Sequence, residues 1–305
     1  MPTKANNPAT VARAQALLRR LIPLPFFLLF LAGCVGTTSG LSITTTAPNG
    51  ASEQIPAWVS KPDGAGPFPA VVIMHDCSGL GFPSSGAPGR WAMELVGRGY
   101  VVVLPDSFRS RGYSGGVCTV PLSQRLADVS FERRARDAYA ALAYARTLPY
   151  VHGQRVGIMG GSHGGSTTLA AMIAPASDTA PLAKEKRAGF AAAVALYPRC
   201  AMPRGASTAY KPVAPLLILI GEKDDWTPAE PCRKLADAAQ AAGHPVAIKI
   251  YPGAHHSFDS SNPVRYVSAR VNINSPSGYG ATTGGDRAAW NDSIREVAAF
   301  FGRHL

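Results

Sequence analysis

The sequence predicts an α/β fold, a mostly parallel sheet covered by helices on both faces, and three observations lead there. Short apolar runs rich in β-branched residues recur along the chain, and stretches with a helical apolar period separate them. The runs are also apolar throughout instead of alternating, as strands buried on both faces are. The chain has 305 residues and no internal repeat or long low-complexity linker, so it can form one large α/β domain with a full core.

A separate segment precedes these elements. Residues 1–33 read as an export signal: Lys4, Arg13, Arg19 and Arg20 supply the positive end, and LIPLPFFLLFLAG, Leu21 to Gly33, is an apolar run. That run is shorter than the roughly 18 to 20 residues a helix needs to span a bilayer. It closes in Leu31-Ala32-Gly33-Cys34, which resembles the lipobox of bacterial lipoproteins, so Cys34 is the expected lipid attachment point. That resemblance implies several acyl chains, enough to hold a protein on a membrane stably. Val35 in the next position, where Asp is absent, implies outer-membrane sorting in a host with two membranes. The expectation is an exported, lipid-anchored protein of a bacterial cell envelope, on its periplasmic side or surface. Residues 34–52 are expected to form a tether, TTSG at Thr37 to Gly40, and a first edge strand, with residues 53–305 as the main domain.

Within that domain, ITTT near Ile43 and QIPAWVSKP near Gln54 should add antiparallel strands at the front edge. The buried strands are FPAVVIMH (Phe68 to His75), YVVVLP (Tyr100 to Pro105), VGIM (Val156 to Met159), AAAVALY (Ala191 to Tyr197), PLLILIG (Pro215 to Gly221) and VAIKIYP (Val246 to Pro252). Helices are expected around Trp91 to Arg98, Ser123 to Leu148, Ser162 to Ala174, Glu230 to Ala242 and Ala288 to His304. The second shows its period clearly: Ala135, Ala138, Tyr139, Leu142 and Ala145 share a stripe, while Arg133, Arg134, Arg136 and Asp137 fall largely off it. The formal charge of +11 becomes +7 without the four basic residues of the export signal. The basic clusters RSR (Arg109 to Arg111) and ERRARD (Glu132 to Asp137) lack aromatic interleaving, so they read as solvated helix faces and no nucleic-acid partner is expected.

Gly-x-Ser-x-Gly occurs twice, around Ser114 and around Ser162. Ser114 sits in the polar loop DSFRSRGYSGGVC, with no strand before it and no helix directly after. Ser162 follows VGIM and opens STTLAAMIA, the strand–turn–helix context of a nucleophile elbow, whose glycines permit a crowded turn that lifts the hydroxyl above the sheet edge. The helix N-terminus adds free N–H groups and a positive field beside it. Ser162 is therefore the candidate nucleophile.

A serine needs a base, and the base needs an orienting acid, in the chain order Ser, Asp or Glu, His. EKDDWTP follows PLLILIG and offers Asp224 and Asp225; GAHHSFD follows VAIKIYP and offers His255 and His256. Singly, each pair has an ordinary structural reading as a turn or surface group. Together, three functional types in the required order, each at a strand end, mark an active site. The oxyanion of acyl transfer needs two donors. One is the backbone N–H of His163, next to the nucleophile, and the other is the N–H of Cys77 in the turn HDCSGL, His75 to Leu80.

At these residues the chain resembles the dienelactone hydrolase family of α/β-hydrolases. HDCSGL is similar to its His-Glu-x-x-Gly-Leu turn, GGSHGG to its elbow, GEKDDWTP to its acid turn and YPGAHHSF to its Tyr-x-x-Ala-x-His-x-Phe segment. The resemblance covers most of residues 53–305 and selects Asp224, four before Pro228, and His256, two before Phe258. It implies the α/β-hydrolase fold and a serine hydrolase that cleaves small-molecule or polymeric esters or lactones through an acyl-enzyme, with no metal or organic cofactor. The namesake enzymes carry cysteine as nucleophile where this chain has Ser162, which points toward ordinary esters. Asp76 stands where the family often has Glu, and a carboxylate that tunes a cysteine has no evident task here.

Two other functions remain open at this stage: a peptidase or amidase, since the family also resembles the catalytic domain of prolyl oligopeptidases, and a non-catalytic binding lipoprotein. The strand order implied by the resemblance sets Cys77 beside Cys118 and Cys200 beside Cys232, so these pairs are the expected disulfides in an oxidising compartment. The polar, glycine-rich segment 259–286 is either a lid over the pocket or a disordered surface insertion.

Overall fold

The computed structural model describes residues 36–82, 84–174, 189–200 and 210–305; the expected export signal and Cys34 lie outside them. An eight-stranded sheet has the order β1-β2-β4-β3-β5-β6-β7-β8. β1 (Gly36–Thr46) pairs antiparallel with β2 (Ser52–Lys61), and β2 antiparallel with β4 (Val101–Pro105). From β4 onward, through β3 (Phe68–Met74), β5 (Val151–Gly161), β6 (Ala193–Leu196), β7 (Leu216–Gly221) and β8 (Val246–Tyr251), every pairing is parallel. This is the α/β-hydrolase order.

Four sequence expectations change. The segment read as a tether belongs to β1, where Thr37 and Thr38 pair with Ser60 and Val59. The free edge of β2 presents a row of backbone donors and acceptors, and β-branched threonines suit a strand laid along it. VAIKIYP is not buried on both faces: β8 is an edge strand, and Lys249 reaches from it to Asp292 and Glu296. The long helix expected from Ser123 divides into α2 (Leu122–Asp128) and α3 (Phe131–Thr147), because the Ser130 side chain accepts from the Arg133 amide and starts a new helix. The clusters RSR and ERRARD are only partly solvated: Arg109, Ser110 and Glu132 are exposed, but other charges of both clusters turn inward. Arg111 forms a two-pronged pair with buried Asp137, at 2.7 and 2.9 Å, and joins Arg133 on Glu53 of β2, while Arg134 is fully buried. Charge alone suggests a surface, but opposite charges let Arg111 and Asp137 go inside, and Arg134 bonds instead to His163 and the His75 carbonyl.

Helices α1 (Ala87–Val96), α4 (His163–Met172), α5 (Ala229–Ala241) and α6 (Arg287–His304) complete the layers. A Cβ added to Gly157 of β5 would meet Phe301 of α6, and one added to Gly160 would meet Gly164 of α4. Residues an odd number apart on a strand face opposite sides, so α6 and α4 cover opposite faces of the sheet. Trp91 of α1 packs edge-on against Trp290 of α6. Both expected disulfides are present, Cys77–Cys118 and Cys200–Cys232. Segment 259–286 is not a disordered insertion. It folds as a second, two-stranded sheet of β9 (Arg265–Val271) and β10 (Tyr279–Thr283).

Candidate active site

Ser162 lies between β5 and α4 with φ 53° and ψ −115°, a conformation that non-glycine residues rarely hold. The turn needs its neighbours to lack side chains. A Cβ on Gly164 would lie 1.9 Å from the Met74 carbonyl oxygen, and one on Gly160 would lie 2.5 Å from the Gly164 backbone. The Ser162 amide donates to the Leu196 carbonyl (2.9 Å), which fixes the elbow to β6.

The loops after β7 and β8 bring the partners to this hydroxyl. Ser162 Oγ lies 2.9 Å from His256 Nε2, and His256 Nδ1 lies 2.7 Å from Asp224 Oδ2. The other Asp224 oxygen accepts from the amides of Trp226 (3.0 Å) and Thr227 (2.8 Å), so the carboxylate is held from behind. The rings of Tyr197 and Trp226 each have their centroid 4.8 Å from that of His256, which is fully buried. With Nδ1–H donating to Asp224, Nε2 is free to take the serine proton.

The alternatives separate cleanly. Ser114 is exposed and bonds to no described histidine. His255 turns toward the Lys223 carbonyl at 3.1 Å. Asp225 anchors the β9–β10 hairpin, accepting from the Thr282 amide and hydroxyl at 2.8 Å each. The hairpin is further tied down by Trp226 Nε1–H donating to the Val271 carbonyl and by the Val271 amide donating to the Cys118 carbonyl.

The residues of the expected oxyanion donors, Cys77 and His163, line one cavity with Ser162. His163 occupies the first position of α4, where an amide has no partner within its own helix, and among the described residues neither its N–H nor that of Cys77 donates to a protein acceptor. Asp76 does have a task. Its carboxylate accepts from the Ser78 amide (2.7 Å) and from the hydroxyls of Ser78 and Ser85, which braces the turn that carries Cys77. The side chain of His163 is engaged elsewhere than the hydroxyl, accepting at Nδ1 from Arg134 (2.7 Å). Burial, and then the Arg134 charge, hold the His163 ring well below the usual histidine range, and the same two causes hold His75 down.

Two cavities meet at Ser162, Cys77 and Trp226. One, about 320 Å³, is walled by Asp76, Ser260, Arg265 and Arg270, and the other, about 70 Å³, by Arg125, Phe131, Arg199 and Ile273. Among the described residues none of these four arginines has a carboxylate within ion-pair distance, and burial lowers the pKa of Arg125, Arg199 and Arg270. Sequence reasoning missed the arginines, because positions from three separate segments converge only in three dimensions. It also missed Arg134, although the spacing 134, 138, 141, 145 places it at the head of an alanine stripe on α3.

The model of the dienelactone hydrolase family matches residues 55–305. A protein of Methylorubrum extorquens named "Putative carboxymethylenebutenolidase" is 27% identical over 214 residues, which is 67% of this chain and 68% of that one. Among solved structures, a dienelactone hydrolase-like promiscuous phosphotriesterase from metagenomic libraries superposes with a TM-score of 0.62 at 20% identity, over 88% of this chain and 98% of that one. The apo form of Thermogutta terrifontis esterase 2 gives 0.59 at 18% identity, over 87% and 94%. At these identities the superpositions speak for the fold alone. The family match, by contrast, spans the turn of Cys77, the elbow, the acid turn and the histidine segment together, and on that ground the chain belongs to the dienelactone hydrolase family.

Proposed function

We propose that the protein hydrolyses carboxylic esters or lactones through an acyl-enzyme on Ser162. The observation that carries this reading is the unbroken relay Ser162 Oγ, His256, Asp224, with links of 2.9 and 2.7 Å. Ser162 Oγ attacks the carbonyl carbon while its proton passes to His256 Nε2, and the amides of Cys77 and His163 bind the resulting oxyanion. Collapse breaks the bond to the alkoxy oxygen, which leaves with the proton from His256. Water then attacks the acyl-enzyme, again giving its proton to His256, and the acid is released with the serine restored. For a lactone the leaving alcohol stays attached to the acyl group. Relatives named for carboxymethylenebutenolide support a lactone as one substrate form.

The unpaired arginines around both cavities favour substrates that carry a carboxylate or similar anion beside the scissile bond. A matched set of a neutral ester, a half-ester of a dicarboxylic acid, and the amide of the same acid tests the reading. Turnover of the esters with the half-ester preferred by KM, and little turnover of the amide, is expected. Loss of that preference in Arg199→Ala, by about tenfold, would tie it to the smaller cavity. Faster amide than ester cleavage would favour a peptidase instead.

The Leu31-Ala32-Gly33-Cys34 motif supports lipid attachment at Cys34 and a place on a bacterial envelope membrane. Cys34→Ala should then move the full-length protein from the membrane to the soluble fraction of an expressing bacterium, and unchanged fractionation would remove the anchor.

A further inference from the structure

We propose that Arg134 is a positioning residue for the oxyanion site, one guanidinium that clamps together the two chain segments supplying its amides. Arg134 is wholly buried in α3. Its Nη1–H donates to His163 Nδ1 at 2.7 Å, and its Nη2–H donates to the His75 carbonyl at 2.8 Å. His163 contributes one oxyanion amide, and His75 stands two residues before Cys77, which contributes the other. The fork therefore sets the spacing of the elbow helix against the turn after β3, and a guanidinium holds such a two-pronged geometry rigidly.

The surroundings fit this task. Phe108 packs its ring under the guanidinium, 4.7 Å from the carbon, and meets the rings of His75 (4.4 Å) and His163 (5.7 Å) edge-on. Phe131 closes on His163 at 4.8 Å. Among the described residues no carboxylate lies within ion-pair distance of Arg134; Asp137, Asp76 and Asp106 act on it only from farther away. Burial pushes its pKa down to about 9, which leaves it charged at neutral pH. A buried cation bonded only to neutral acceptors is unfavourable for folding, yet this one is held by the ring of His163 and by the carbonyl two residues before Cys77, the two segments whose amides are assigned to the oxyanion. Both its geometry and its charge act on the transition state through the groups it holds.

This inference rests on the acyl-enzyme reading, and the experiment separates the two. Native protein, Ser162→Ala, Arg134→Gln, Arg134→Lys, His163→Ala and the double variant Arg134→Gln/His163→Ala are compared on one ester, with active sites titrated by a fluorophosphonate. A trifluoromethyl ketone, which forms an oxyanion adduct, and the matching methyl ketone, which binds without forming it, are measured as inhibitors. We expect kcat per titrated site to fall about 10- to 100-fold in each clamp variant with KM within about twofold. Affinity for the trifluoromethyl ketone should fall in parallel while that for the methyl ketone holds, and the double variant should be no worse than the singles. Arg134→Lys should not rescue, because an ammonium cannot reach both acceptors. Native kcat per titrated site with only a lowered Tm would overturn the clamp, as would full rescue by lysine. If the Arg134 variants do not fold, His163→Ala, which removes one prong alone, decides by the same readouts. Turnover that survives Ser162→Ala would refute the acyl-enzyme reading itself, whatever the clamp variants do.

Discussion

The backbone of Ser162, held at positive φ by its contact with β6, gives the hydroxyl one direction, and His256 waits in that direction with its ring fixed by Asp224, Tyr197 and Trp226. Ser162→Ala should lower ester turnover by about 10⁴-fold or more with an unchanged far-UV spectrum, and His256→Ala should do nearly the same because the two act as a unit. His255→Ala, whose ring faces the Lys223 carbonyl, should keep most of its activity; equal losses at the two histidines would leave the base unassigned. The neutral rings behind the site make a different prediction. His75 and His163 have folded pKa values well below 6.5, so as pH falls through that value the unfolded chain takes up protons that the folded one refuses, and stability is lost. Each ring therefore makes the fold less stable as pH falls below 6.5. Urea midpoints at pH 7.5 and 5.5 should therefore converge in His163→Asn relative to native protein; an unchanged pH difference would show that the ring takes up a proton in the fold.

Among the elements, the β9–β10 hairpin and the two disulfides do distinct work. Asp225 holds the hairpin by two hydrogen bonds to Thr282, each worth about 1 kcal/mol. Asp225→Ala should raise KM severalfold and speed hydrogen exchange in 265–283 while Ser162 remains reactive to a fluorophosphonate; exchange at the native rate would mean the hairpin is held elsewhere. In the chain-entropy account each disulfide, closing a separation of 41 or 32 residues, stabilises by about 4 kcal/mol. Removing Cys200–Cys232 should lower Tm and leave kcat of the folded protein intact, whereas removing Cys77–Cys118 should lower both, since it loosens the turn that carries the proposed oxyanion amide of Cys77. The strands and helices were legible because apolar runs and helical stripes are local signals. TTSG was not, because its strand state is set by the edge of β2, a partner many residues away. The hairpin was left open for the same reason: Asp225, Cys118 and Trp226 hold it from outside its own segment.

At the scale of the whole molecule, the sheet order brings three loops to one place, and this is why Ser162, Asp224 and His256 could be read from motif and chain order before any geometry was known. Arg134 could not, because an arginine on a helix reads as surface until the fold shows a buried acceptor pair waiting for it. The four cavity arginines were hidden likewise, since α2, the loop after β6 and the hairpin meet only in the folded chain. The central claim, a covalent acyl-enzyme on Ser162, is tested most directly by acid-quenching the protein during turnover of an aryl ester and mapping the adduct by peptide mass. The account predicts one acyl group per active site, on the peptide containing Ser162, with no acyl group retained in His256→Ala. An adduct on the peptide of Ser114, or hydrolysis without any acyl adduct, would contradict it.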